Sequence, residues 1–159
     1  MAKFTYKHLK KARFENNSPN PDPSYANPSD SGFDVRAWIE EGSVTLKPLE
    51  RKVIHTGLYF EVPELTEIQV RPRSGNALKR GLSICNTPGT IDEGYRGEIC
   101  VIAINLSNDD ITIENGEKIA QCAICPVYKG ETVDLIRVDK IDREATDRKE
   151  KGFGSTGTA

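Results

Sequence analysis

Residues 71–98 gather the side chains best suited to chemistry. The stretch runs from Arg71-Pro72-Arg73-Ser74-Gly75 to Ile91-Asp92-Glu93-Gly94-Tyr95-Arg96-Gly97-Glu98. It combines arginines, a hydroxyl at an expected helix start, glycine-permitted turns and an acidic residue near a tyrosine. An anionic substrate calls for such parts: donors for its charge, backbone that approaches closely, and a carboxylate that moves a proton. Spacing alone leaves two readings of Asp92, a turn residue bonding its own backbone or a general base beside anion donors. Ser74 is either a plain N-cap or a phosphate donor. Phe153, between glycines on a polar terminus, is either a clamp over a flat ligand or an exposed ring.

Bulk properties narrow the choices. A chain of 159 residues fits one domain and is long enough to bury a real core. Its formal net charge of −2 speaks against a general grip on nucleic acid, so any anion site is local. No apolar run is long enough to span a membrane, and the start lacks the apolar core of a secretory signal. The four cysteines (Cys85, Cys100, Cys122 and Cys125) lie in apolar, strand-like runs and read as buried free thiols of a reducing compartment. Cys122 and Cys125 have C-x-x-C spacing, but strand positions three apart face opposite sides and no second pair completes a zinc set. The two histidines, His8 and His55, are expected on solvated strand faces.

The positioning elements are short strands. Phe4–Leu9 reads as an edge strand, with Lys3, Lys7, Lys10, Lys11 and Arg13 forming a solvated face or a tether. Residues 15–31, with Pro19, Pro21, Pro23 and Pro28, read as a loop. In Phe33–Ala37, alternation sets Phe33, Val35 and Ala37 inward and Asp34 and Arg36 on the polar face, where they are candidates to pair. Further strands are predicted at Val44–Leu46, Val53–Ile54, Leu58–Val62 and Ile68–Val70. Ser74 caps a brief helix that Gly81 ends. Leu82–Asn86 and Thr90–Asp92, joined through Pro88-Gly89, read as a hairpin. Glu98–Asn105 reads as a central strand buried on both faces, or one shared with another subunit. Ile111–Ile113, Lys118–Val127 and Val133–Ile136 complete an all-β barrel or sandwich, and the charged residues from Asp139 onward do not order alone.

Five segments in order carry a resemblance. They are Ser31–Ala37, Pro72–Gly75, Gly89–Glu98, Gly116–Gln121 and Gly152–Gly157, and together they resemble the trimeric dUTP diphosphatase (dUTPase) family over roughly residues 20–157. The resemblance implies a small distorted jelly-roll β-barrel with one short helix, in a homotrimer with shared active sites. It implies a barrel domain over 1–141 and a flexible C-terminal arm over 142–159 that closes a site. The implied reaction is hydrolysis of dUTP to dUMP and pyrophosphate, with Asp92 activating the water that attacks the α-phosphorus. Asn86 and the backbone beside it would read uracil in the hairpin pocket, with Gly89, Thr90 and Ile91 among the substrate-binding residues. Tyr95 would stack under the deoxyribose, and Arg73, Ser74, Gly75 and Gln121 would hold phosphate oxygens. In the arm, Phe153 would cover the base and Arg148, Ser155 and Thr156 would bind the terminal phosphate, with Gly154 among them. Mg2+ would be held mainly by substrate phosphates, and Asp34 would act on it through water.

Where the family usually carries glycines after the arm's arginine, Arg148 is followed by Lys149-Glu150-Lys151, which stiffens the arm. The partners implied are dUTP and further copies of the chain, with no nucleic acid and no membrane, in the cytoplasm or, in a eukaryote, the nucleus. Two rivals have distinct signatures. A dCTP deaminase of the same architecture would release ammonia and would not need the complete Gly-Phe-Gly-Ser-Thr-Gly tail. A nucleotide-sensing binding protein would carry a dedicated insertion, and only the modest 15–30 loop is available for one.

Overall fold

The computed structural model describes residues 10–147. The expected Phe4–Leu9 strand and the motif at 152–157 lie outside these residues. The described chain forms two compact units, dividing between Tyr128 and Lys129. The first unit holds every described strand: β1 Arg13–Asn16, β2 Phe33–Arg36, β3 Ser43–Leu46, β4 Arg51–Ile54, β5 Leu58–Glu61 and β6 Thr66–Arg71. Helix α1, Ser74–Arg80, follows, and then β7 Leu82–Ile84, β8 Gly89–Ile91, β9 Val101–Asn105, β10 Ile111–Glu114 and β11 Lys118–Pro126. This is the expected all-β fold with one short helix.

The strands pair antiparallel in four ladders, β1-β5, β10-β3, β2-β11-β6-β8 and β4-β9-β7. Most pairings join strands distant in sequence, so one face of each ladder turns toward a shared core. Alternation sets that face: Phe33, Val35 and Ala37 are buried as predicted, and β6 buries Ile68 and Val70. Leu46, Leu82, Ile99, Val101 and Ile113 join the same cluster. Each such side chain contributes about 1.5–3 kcal/mol relative to exposure.

Several expectations need correction. Arg13–Asn16, partly inside the predicted loop, pairs with β5, because Phe14 finds Phe60 at a ring separation of 5.7 Å. The run 82–92 is not a hairpin. β7 pairs with β9 and β8 with β6, so the turn at Thr87-Pro88 carries the chain from one ladder to another. Ser74 does not cap α1; Arg73, in extended backbone, takes that position without a side-chain cap bond. Gly81 does end the helix in the left-handed region, at φ 71°.

In β9 only Val101, Ala103 and Asn105 are fully buried, while Ile102 and Ile104 face outward and are partly buried. Of the cysteines only Cys122 is buried, and burial pushes its thiol up to about 12; Cys85 is exposed. Cys125 lies 3.4 Å from Arg71 Nη2, and the Cys122–Cys125 spacing gathers no metal set among the described residues. In the second unit the described residues form a turn at Lys129–Thr132 and no strand. Leu135 there is 98% exposed, and Val133–Ile136 forms no strand despite its alternation.

Candidate active site

The ladder β2-β11-β6-β8 explains how motifs scattered along the chain become neighbours. β11 lies between β2 and β6, so Gln121 faces Asp34 on one side and Arg71 on the other. β8 lies on the far side of β6, with Gly89 opposite Val70, Thr90 opposite Gln69 and Ile91 opposite Ile68. The first, fourth, second and third of the expected motifs therefore stand side by side in that order.

At one end of this sheet, β6 leaves its ladder into α1 and delivers Arg73 toward β2. Arg73 Nε donates to Asp34 Oδ1 at 2.8 Å, and its Nη1 donates to the Lys118 carbonyl at 3.3 Å. Lys118 Nζ lies 2.9 Å from Asp34 Oδ2. Partial burial pushes the Asp34 carboxyl up, but Lys118 and Arg73 outweigh it and hold the group below its ordinary value. Asn76 Nδ2 donates to the Lys118 carbonyl at 3.0 Å, and Gln121 Nε2 to the Pro72 carbonyl at 2.9 Å. Gly32 makes room for that glutamine, since a Cβ there would lie 2.8 Å from Gln121 Oε1. Ser74 and Gly75 lie exposed in the first turn of α1. A cleft of about 540 Å3 opens here, lined by Asp34, Lys118 and Gln121 with Asp22, Asp30 and Ser31 of the proline-rich loop.

Two features differ from expectation. Asp34 pairs with Arg73 and Lys118 rather than Arg36, which instead donates to the Gly116 carbonyl at 2.7 Å. Lys118 was not among the expected site residues. Its signal was the register that brings the start of β11 against β2, where a bulge between Lys118 and Ala120 resets the alternation.

The third motif forms a separate cluster. Asp92 starts a tight turn in which its own carbonyl accepts from the Tyr95 N–H at 3.0 Å. The Asp92 side chain is exposed and makes no hydrogen bond or ion pair to a described residue. Arg96 Nη1 donates to the carbonyls of Glu93 and Tyr95, and Glu93 accepts from the Leu65 N–H at 2.8 Å. The Tyr95 hydroxyl donates to the Glu98 carbonyl at 3.1 Å, laying the ring across Gly97, where a Cβ would collide with the phenol oxygen. Asn86 lies exposed with its amide against Gly89.

The structure gathers Asp34, Arg73, Ser74, Gly75 and Gln121 but does not bring Asp92 and Tyr95 to them. Asp92 follows Ile91, which stands opposite Ile68, and so lies about six strand positions from Arg73. At ~3.4 Å per residue the two ends lie roughly 20 Å apart along the sheet. Arg148, Phe153, Gly154, Ser155 and Thr156 lie outside the described residues.

The family model "dUTPase" matches residues 18–157. The chain is 46% identical over 147 residues to the deoxyuridine 5'-triphosphate nucleotidohydrolase of Finegoldia magna, covering 92% of this chain and 99% of that protein. It is 51% identical over 150 residues to the enzyme of that name from Aquifex aeolicus, covering 94% and 96%. Among solved structures, the Staphylococcus bacteriophage 80alpha dUTPase with dUpNHpp superposes with a TM-score of 0.80 at 26% identity, covering 94% of this chain and all of that one.

Proposed function

The chain belongs to the dUTPase family, and from that premise we propose how its residues divide the work of splitting dUTP into dUMP and pyrophosphate. It is a hydrolase of nucleotide metabolism with the jelly-roll-like fold of that family. In the proposed step the Asp92 carboxylate takes a proton from a water. The oxygen of that water attacks the α-phosphorus, the bond to the bridging oxygen breaks, and pyrophosphate leaves. The observation that carries this reading is the exposed, unengaged Asp92 carboxylate on a turn fixed by Arg96 and Glu93. Tyr95 offers a half-exposed ring as the sugar platform, and Asn86, with Gly89, Thr90 and Ile91, offers the edge that reads uracil. Arg73, Ser74, Gly75 and Gln121 bind phosphate oxygens, with Arg73 steadied by Asp34. Arg148, Phe153, Gly154, Ser155 and Thr156 of the arm complete the site.

The roughly 20 Å between Asp92 and Arg73 supports a site assembled from more than one copy of the chain. Val53, Ile102 and Ile104 form an apolar stripe on the outer face of β4 and β9, a surface that a homotrimer would cover. The trimer predicts a solution mass near three times 17.6 kDa.

Mg2+ fits the donor set in one way. Both Asp34 oxygens are engaged by cations, and no acidic cage stands beside them among the described residues. An ion held by substrate phosphates, with Asp34 acting through water, suits such a site. Bound in that way, magnesium would supply charge neutralisation on the triphosphate. No helix among the described residues is long and apolar enough to cross a membrane. The free thiols accord with the proposed reducing, cytoplasmic setting.

The test is pyrophosphate release from dUTP, dCTP, dTTP and UTP side by side, with and without magnesium. Release from dUTP alone, lost in Asp92→Asn, is the expected result. Ammonia release from dCTP would overturn the reading in favour of a deaminase.

A further inference from the structure

At the end of the third motif, three groups with metal-binding chemistry converge where β4 and β9 meet. Ile54 faces Val101 in that ladder, and one step further His55 stands opposite Cys100. Glu98, two residues earlier, projects on the same side as Cys100. His55 Nδ1 lies 2.8 Å from Glu98 Oε2 and 3.7 Å from Cys100 Sγ, and the three ligand atoms fall within 4.8 Å of one another. We infer that His55, Glu98 and Cys100 form a three-ligand site for a borderline-soft divalent cation of the zinc class, with the fourth position left to solvent.

The donor set fits zinc. Bonds of about 2.0–2.1 Å to nitrogen and 2.3 Å to sulfur at a tetrahedral angle set those atoms roughly 3.5 Å apart. The His55–Cys100 separation of 3.7 Å is already close to that, and the ion needs the His55–Glu98 contact to open by only about 0.5 Å. Imidazole and thiolate favour zinc over magnesium or calcium, which take all-oxygen sets. The carboxylate is already oriented: Glu98 Oε1 accepts from the Thr56 N–H at 3.0 Å and the Gly57 N–H at 2.8 Å, leaving Oε2 toward the other two ligands. Such outer contacts fix a ligand in place. Within the single chain His55 is 61% exposed and borders a cleft of about 530 Å3 lined also by Trp38, Glu40 and Glu41.

Burial and the neighbouring Glu98 push the Cys100 thiol up to about 11. A cation reverses that balance: the sulfur–metal bond forms and the thiol proton leaves to solvent. The Tyr95 hydroxyl bonds the Glu98 carbonyl, so the site adjoins the proposed sugar platform without sharing a ligand with it.

The test uses the full chain carrying Cys85→Ser, which removes the exposed thiol, and reads metal binding directly. Zinc titration by calorimetry is expected to show one ion bound per chain, undiminished by excess magnesium. Cobalt(II) is expected to give a sulfur-to-metal charge-transfer band. Cys100→Ser should abolish the band, and His55→Gln should weaken zinc binding at least about tenfold. Absence of stoichiometric zinc uptake overturns the inference, as does a cobalt band that survives Cys100→Ser. If Cys100→Ser does not fold, His55→Gln decides alone: unchanged affinity there is fatal, because that side chain is exposed and its loss is structurally mild.

Discussion

Asp34 and Arg73, thirty-nine residues apart in sequence, are joined by a 2.8 Å hydrogen bond from Nε to Oδ1. The bond ties β2 to the start of α1. Because Lys118 takes the other carboxylate oxygen, Asp34 is a fixed anchor between two cations.

That anchor titrates in a defined direction. The Asp34 carboxyl is held below its ordinary value in the folded protein. The unfolded chain therefore binds more protons in the intervening range, and stability rises with pH there. The contribution is fully present above the unfolded value near ~3.9 and is lost as pH falls through the folded value. Asp34→Asn should lower the melting temperature at neutral pH and flatten its acid limb. Melting curves from pH ~7 down to pH ~3 check this; parallel limbs in variant and wild type would show that the ion pair contributes nothing.

Asp92→Asn should reduce kcat by about 10²–10⁴ with little change in KM. The side chain is exposed and unengaged, so stability should move by no more than ~0.5 kcal/mol. Steady-state kinetics and a thermal melt on the same preparation suffice. A large loss of melting temperature would instead make Asp92 a structural turn residue.

Gly97→Ala tests the sugar platform. The added methyl would meet the Tyr95 Cζ at 2.5 Å, so the ring must move and its bond to the Glu98 carbonyl must break. Rejection of UTP should weaken roughly tenfold, measured as the ratio of kcat/KM for dUTP to that for UTP. An unchanged ratio would remove Tyr95 from its role in excluding the 2′-hydroxyl.

Legibility in the sequence followed the range of the interaction. Phe33–Ala37 and Gly81 were readable because alternation and a left-handed cap are local signals. The supposed hairpin at 82–92 misled because its turn is local but its partners, β9 and β6, are not. Val133–Ile136 had strand alternation but forms no strand, because alternation alone supplies no pairing partner. At the site, the residue types were legible, yet the pairing of Asp34 depended on the register between β2 and β11, which no stretch of sequence states. His55 was expected to be merely solvated, and only that same kind of cross-strand placement reveals its neighbours.

Asn105 offers the sharpest test of the core. It is fully buried; its Nδ2 donates to the Leu46 carbonyl at 2.9 Å and the Asp109 carbonyl at 2.7 Å, while Oδ1 accepts from the N–H and hydroxyl of Ser107, both at 2.8 Å. Asn105→Leu keeps the volume and removes these four bonds, although the Ser107 hydroxyl still donates to the Asp109 carbonyl at 2.9 Å, for a loss of about 2–4 kcal/mol or roughly 5–15 °C in Tm. Asn105→Asp is more informative. An ionised carboxylate would face two carbonyl oxygens without a proton to offer, so the folded state favours the neutral acid and raises its pKa. The penalty is then full above the raised folded value and shrinks as pH falls toward the unfolded value near ~3.9. The stability difference between Asn105→Asp and wild type, followed by urea unfolding across that range, should narrow toward acid. A gap independent of pH would mean that the Nδ2 donors are not what holds the β3 and β9 ends together.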